Sequence, residues 1–316
     1  MKMFAPAAAA LALMSAAAAA QEAPLTPDAV IAAAPAEEWR PIASTDLLVM
    51  DLAADAAGSP RRVVIQLLPA PFSAGWTSNI RQLVAARWWD GTSVYRVVDN
   101  WVAQWGGDEE KPLPPGLIEV PEAAYVTATE AGDAEGRDFV LTPEREEIVV
   151  NRWLDPYAVT GFVAGWPVGL GEEDGRTAWP VHCYGAVGVA RDLSPDTGSG
   201  SELYAVIGHA PRQLDRNIAV VGRVIEGIEH LATLPRGRGE AGVYADPARR
   251  VPILSVRMAS DLPEAERPSF EYLDTASKSF ARYLGLRANR KDSFYQVPAG
   301  GVDVCNAPVP IRKAPE

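Results

Sequence analysis

Proline and glycine punctuate this chain throughout, 27 Pro and 26 Gly in 316 residues. Proline removes a backbone donor and fixes φ, while glycine favours turns. A chain so interrupted folds through short strands and tight connections rather than long helices. Strand-like apolar runs lie at 47–52, 62–68, 93–98, 101–105, 184–190, 203–208, 218–224 and 251–258. Helical spacing is rarer. It begins at Thr26-Pro27, recurs over 77–88 with Thr77 as the expected cap, and returns briefly over 225–234 and again near 272–289. No internal repeat is apparent. This many short strands with few helices predicts an antiparallel sandwich or barrel.

Composition excludes more than it selects. With 29 Lys and Arg against 41 Asp and Glu, the formal charge is −12. That balance argues against a nucleic-acid partner, because phosphate neutralisation needs clustered cations, and against anionic membrane surfaces. Three His and two Cys leave little material for a metal site, and neither a CxxC nor an HExxH pattern occurs. No cofactor-binding motif stands out, and the sequence does not encode a readable oligomeric state.

Residues 1–20 read as a secretory signal: Lys2 is the charged start, 5–20 are small and apolar, and Ala18-Ala19-Ala20 precedes Gln21. The expectation is export to a bacterial periplasm, with no membrane attachment after cleavage. Such a compartment favours a disulfide between Cys183 and Cys305; the other reading is two separate buried thiols. Residues 21–45 read as a linker and 46–260 as the main domain, interrupted over 109–181. The segment 261–316 reads as a helical tail docked on that domain. The 109–181 stretch is irregular, with acidic pairs Glu109-Glu110 and Glu172-Glu173, and reads as a long surface excursion carrying a few strands.

The chemistry concentrates in the stretch from Gly91 to Asp108. Arg96 interrupts an apolar strand. Regular alternation would set Val94, Arg96 and Val98 on one face and Tyr95 and Val97 on the other. Trp101, Val102 and Gln104 follow, ahead of Gly106-Gly107-Asp108. An isolated strand arginine is usually a snorkelling surface residue, but here an aromatic and an amide follow it at fixed spacing.

This segment resembles the signature F-H-R-[VI]-[VI]-x-x-F-x-x-Q-G-G-D of cyclophilin-type peptidyl-prolyl cis-trans isomerases. Tyr95 stands where the family has histidine, Arg96 at its active-site arginine, Trp101 at its pocket aromatic and Gln104 at its glutamine. Trp105 is one residue extra. A second block is similar to the family's A-[NR] … P-[ND]-[ST] … G-S-Q-F-[FY] pattern: Ala190-Arg191-Asp192, Pro195-Asp196-Thr197, then Gly200-Ser201-Glu202-Leu203-Tyr204. Leu214-Asp215-Arg216-Asn217 and Val220-Val221-Gly222-Arg223-Val224 look like its L-D … V-F-G-x-V block.

The resemblance spans about Leu47 to Ser260 and implies a mainly β fold. The expected form is a cyclophilin-like closed antiparallel barrel with two or three helices, a long insertion and a C-terminal helical extension. It further implies a prolyl isomerase acting on Pro-containing polypeptides. Arg96 and Gln104 would be catalytic, and Tyr95, Trp101, Val102, Ala190, Arg191, Glu202, Tyr204 and Leu214 would bind substrate. The chain departs from the pattern at Glu202, where the family has glutamine, at Leu203, at Gln213 in place of a tryptophan, and at Ile218 in place of a histidine. Those departures leave a non-catalytic peptide-binding or chaperone module as the alternative. His182, His209 and His230 are far apart and read as structural or surface residues. A secreted hydrolase is disfavoured, because no Ser/His/Asp or metal pattern accompanies them.

Overall fold

The computed structural model describes residues 25–107, 111–128, 138–141, 146–149, 153–171 and 177–315. Residues 1–20, Asp108, Glu109-Glu110 and Glu172-Glu173 lie outside them. Eight antiparallel strands close a barrel. In ring order they are Ala186–Val189, Leu203–Val206, Val102–Gly106, Ser93–Val97, Val251–Met258, Leu47–Leu52, Arg61–Leu67 and Val220–Glu226, which pairs back with the first. Two-residue alternation sends Leu48, Met50 and Leu52, Val63, Ile65 and Leu67, and Ala103 and Trp105 into one shared core. Closure leaves no free sheet edge in this part of the chain.

Four α-helices are present among the described residues, at Pro27–Ala32, Ala74–Ala85, Glu229–Ala232 and Lys278–Asn289. The second starts earlier than its spacing predicts. Thr77 is not the cap; its hydroxyl donates to the Ala74 carbonyl within the first turn. Ser73 holds the cap position in a left-handed conformation (φ 49°), and its hydroxyl donates to Val220 on the barrel at 2.7 Å. Tertiary contact thus sets that end. Trp76, Ile80, Leu83 and Val84 bury the helix on the barrel core. The helix expected over 225–234 is shorter, because the preceding strand runs on to Glu226. Near 272–289 a strand, Phe270–Leu273, comes first, and Ser277 then caps the last helix by accepting from the Phe280 amide at 3.1 Å.

The 109–181 stretch carries the expected strands, but its described part is packed into the fold rather than spread over the surface. It forms a five-stranded sheet in the order Thr127–Ala128, Thr177–Pro180, Trp166–Leu170, Val159–Val163 and Trp153–Leu154, plus a hairpin of Asp138–Leu141 with Glu146–Val149. Val163, Trp166, Val168 and Leu170 pack on Leu68 and Phe72 of the barrel side. Phe162, Trp179 and Val181 pack on Trp39, Leu273, Phe280 and Leu284. A sheet apolar on both faces must be covered on both, and here barrel and tail cover it.

Residues 25–45 carry a helix capped by Thr26 and the strand Trp39–Pro41, which pairs with Phe270–Leu273 and through it with Ile311–Lys313. Phe270 and the half-buried Ile311 cover Leu47, Val49 and Val64 on the outer barrel face. A disulfide joins Cys183 to Cys305 across 122 residues of sequence, tying the end of the inserted region to the tail.

Candidate active site

The strand carrying Arg96 is not regular. Val94 pairs with Trp105 and Arg96 pairs with Gln104, so Tyr95 is an extra residue between them. The extra residue sits on the Arg96 strand, opposite the Gln104–Trp105 step. This bulge also overturns the expected alternation. Val94 and Val97 both enter the core, while Tyr95 and Arg96 both meet Gln104 on the outer side.

There the polar groups interlock. The Arg96 Nη1 donates to Gln104 Oε1 at 2.7 Å, and its Nε donates to the Ala241 carbonyl at 2.6 Å. The guanidinium carbon sits 5.5 Å from the Trp101 ring centroid. With Oε1 facing Arg96, the Gln104 amide nitrogen faces the Tyr95 hydroxyl and Glu202 Oε2, the latter at 3.0 Å. Tyr95 in turn donates to Glu202 Oε2 at 2.5 Å. Burial, reinforced by the Glu202 carboxylate, pushes the Tyr95 hydroxyl well above the ordinary tyrosine range. Arg96 Nη2 has no hydrogen-bond partner among the described residues. The site therefore offers a permanent cation held in place by two of its nitrogens, with the third unpartnered among the described residues.

Beside it lies an apolar surface on the outer barrel face. Val102, Ala186, Tyr204, Val206 and Val220 are buried, with Val98, Trp101, Ala190 and Ile218 packed against them. Leu214 is not part of this cluster. It is half-buried in the turn Arg212–Leu214, and Ile218 occupies the place nearer the cluster. Arg191 borders the cluster by donating to the Asn217 carbonyl at 3.0 Å and to the Asp192 carbonyl at 2.6 Å. The structure thus gathers Tyr95, Arg96, Gln104 and Glu202 into one network and Trp101, Val102, Ala190 and Tyr204 into the adjoining surface.

One contributor was not singled out from sequence, and another was read there only as a structural or surface residue. The first is the loop that supplies the Ala241 carbonyl. It lies against the strand end, with the Gly237 amide donating to Val97 and the Tyr244 amide to Tyr95, and Ala241 is left-handed (φ 51°). Its signal is the glycine spacing Gly237, Gly239, Gly242. The second is His182, whose Nε2 accepts from the Tyr204 hydroxyl at 2.9 Å. Nothing in its sequence surroundings marks it. No group of three His, Cys, Asp or Glu among the described residues is placed to hold a metal ion.

Residues 61–258, more than half of the chain, match the family model "Cyclophilin type peptidyl-prolyl cis-trans isomerase/CLD". Among solved structures, the cyclophilin AquaCyp293 from Hirschia baltica is 22% identical with a TM-score of 0.59, the match covering 93% of this chain and 100% of that one. That likeness is one of fold. A cyclophilin-type isomerase of Cryptosporidium parvum, crystallised with the dipeptide Ala-Pro, is 13% identical with a TM-score of 0.37 over 66% of this chain and 98% of that one. No curated protein matches the sequence.

Proposed function

The chain belongs to the cyclophilin-type peptidyl-prolyl cis-trans isomerase family, and from that premise we propose that it accelerates rotation about X-Pro bonds of exported polypeptides, with Arg96 as the working cation. The observation that carries this reading is the half-tethered guanidinium beside an apolar surface. Rotation of the prolyl amide meets a barrier of about 18–20 kcal/mol because resonance must be broken. No bond to a heavy atom forms, so the enzyme need only bind the twisted amide better than either planar form.

In this reading Trp101, Val102 and Tyr204 seat the proline ring. The third nitrogen of Arg96 donates to the substrate as charge localises on the twisted amide. Gln104 fixes the guanidinium, and its own orientation is fixed by Glu202, since a carboxylate accepts only from the amide nitrogen. The proposal that clients are exported rests on the signal-like residues 1–20.

The test is cis-trans exchange of an Ala-Pro peptide followed by NMR. Arg96→Ala should lower kcat/KM by about 10²–10³ with an unchanged circular dichroism spectrum. Full activity in that variant would overturn the assignment of Arg96. Peptide binding by the wild-type protein without any acceleration would favour the non-catalytic module.

A further inference from the structure

Below the apolar surface runs a chain of buried polar groups that the isomerisation chemistry does not use. Tyr204 is 4% exposed and His182 0%, with Asp215 at 7% and Arg212 at 4%. An ionised Asp215 can only accept. Its Oδ1 takes both the His182 backbone N–H and Nδ1–H, each at 2.9 Å. In the neutral ring this leaves Nε2 as the acceptor for the Tyr204 hydroxyl at 2.9 Å. Asp215 Oδ2 accepts from Arg212 Nε at 2.6 Å, and Arg212 Nη1 continues to Asp155 at 2.7 Å. Asp155 accepts in turn from the backbone amides of Tyr157 and Ala158 at 2.8 and 2.9 Å, at the foot of the inserted sheet.

This row joins three parts of the chain. Tyr204 belongs to the barrel and the apolar surface. Asp215 and Arg212 lie on the connection beside it. Asp155 comes from the inserted region, and His182 lies just past its end, directly before the disulfide-bonded Cys183. Packing alone does not require a hydroxyl on a buried aromatic, and an unbonded one would carry a desolvation cost. The hydroxyl instead meets a ring that is itself fixed at its other nitrogen, the way a partner group fixes an imidazole in catalytic and metal sites. Tyr204 therefore has one available position rather than several.

We infer that His182 is a positioning residue for substrate: it fixes the Tyr204 ring as a wall of the proline-binding surface, so that the inserted sheet sets how tightly the enzyme holds an X-Pro segment. The inference rests on the reading of the apolar surface as the proline site. Its signature is a change in affinity without a matching change in the rotation step, because Arg96 and Gln104 are not touched.

The experiment uses the full disulfide-bonded chain and NMR titration with an Ala-Ala-Pro-Phe peptide. Chemical shifts give Kd, and exchange spectroscopy gives the on-enzyme interconversion rate. Tyr204→Phe, which keeps the ring, should weaken Kd about tenfold while the interconversion rate stays within about threefold. His182→Ala should do the same, and combining the two should add little, since they break one interaction. His182→Gln, whose amide can again hold the hydroxyl, should recover most of the affinity.

Wild-type Kd in both Tyr204→Phe and His182→Ala would overturn the inference, even with lowered thermal stability, and would leave the row as a structural tie. Because Kd is read without catalysis, a wild-type protein that binds but does not isomerise defeats the proposed function alone. A wild-type protein that binds no peptide defeats both.

Discussion

Tyr95 donates its hydroxyl hydrogen to Glu202 at 2.5 Å, so two of the positions at which this chain departs from its family's site pattern satisfy each other. A histidine–glutamine pair is replaced by a phenol–carboxylate pair, and Gln104 is held between that pair and Arg96. The replacement keeps the network closed. It also adds a negative charge two hydrogen bonds from the working cation.

Replacing that charge alone should be informative. Glu202→Gln keeps an acceptor for the Tyr95 hydroxyl, so the urea-derived stability should change by no more than about 0.5 kcal/mol. With the opposing carboxylate gone, Arg96 pulls more strongly on the twisted amide. An increase in kcat/KM of about threefold is expected, roughly 0.6 kcal/mol in the barrier. An unchanged or slower rate would mean that the Glu202 charge is not felt at the amide.

Gly188 pairs directly with Tyr204 across the barrel ladder, and a Cβ there would overlap the hydroxyl end of the tyrosine. Gly188→Ala must therefore displace the ring or the strand, at a cost of about 1–3 kcal/mol. Weaker peptide binding with a lowered unfolding midpoint is expected. Unchanged affinity by titration would show that the ring position does not matter to substrate.

Stability should fall in strong alkali. Burial raises the ionisation of Tyr95, Tyr125, Tyr204, Tyr244 and Tyr283 above the ordinary value of 10.0. Groups that hold their protons more tightly when folded contribute fully below the unfolded value, and that contribution is lost as pH rises past about 10. Urea midpoints at pH 8, 10 and 11 should decline over the last interval, and Tyr95→Phe should make the decline shallower. A flat profile in the wild-type protein contradicts this.

The disulfide should matter more to folding than to chemistry. Closing a loop of 122 residues corresponds to about 5 kcal/mol in the chain-entropy model. Cys305→Ser should lower the urea-derived stability by an amount of that order, with the barrel signals in circular dichroism retained at low temperature. Equal stability of oxidised and reduced protein would show that the reduced chain is held together by packing alone.

Several features needed no coordinates. The eight barrel strands follow from apolar runs set between prolines and glycines, and each lies within two residues of its expected bounds. Thr26 caps its helix as Thr-Pro chemistry requires. Arg96, Trp101 and Gln104 stood out because an arginine, an aromatic and an amide at fixed spacing are conspicuous in an apolar stretch. Other features had no local signal. Ser73 at the helix start answers to Val220, 147 residues away, and the inserted sheet is short strands whose pattern is plain only once barrel and tail cover its two faces. His182 sits in an ordinary apolar context and gains its role from Tyr204 and Asp215.

The sequence by itself determined which residue types were available for the chemistry and that the chain would form short antiparallel strands, because periodicity and turn residues act over a few positions. The tertiary structure decided which way those residues face. One bulge at Tyr95 turned both Tyr95 and Arg96 toward Gln104, and one buried histidine fixed Tyr204. Neither could be read locally, since bulge placement and the partners of buried polar groups are settled by contacts between distant strands, where an unpaired donor or acceptor costs more than any local preference supplies.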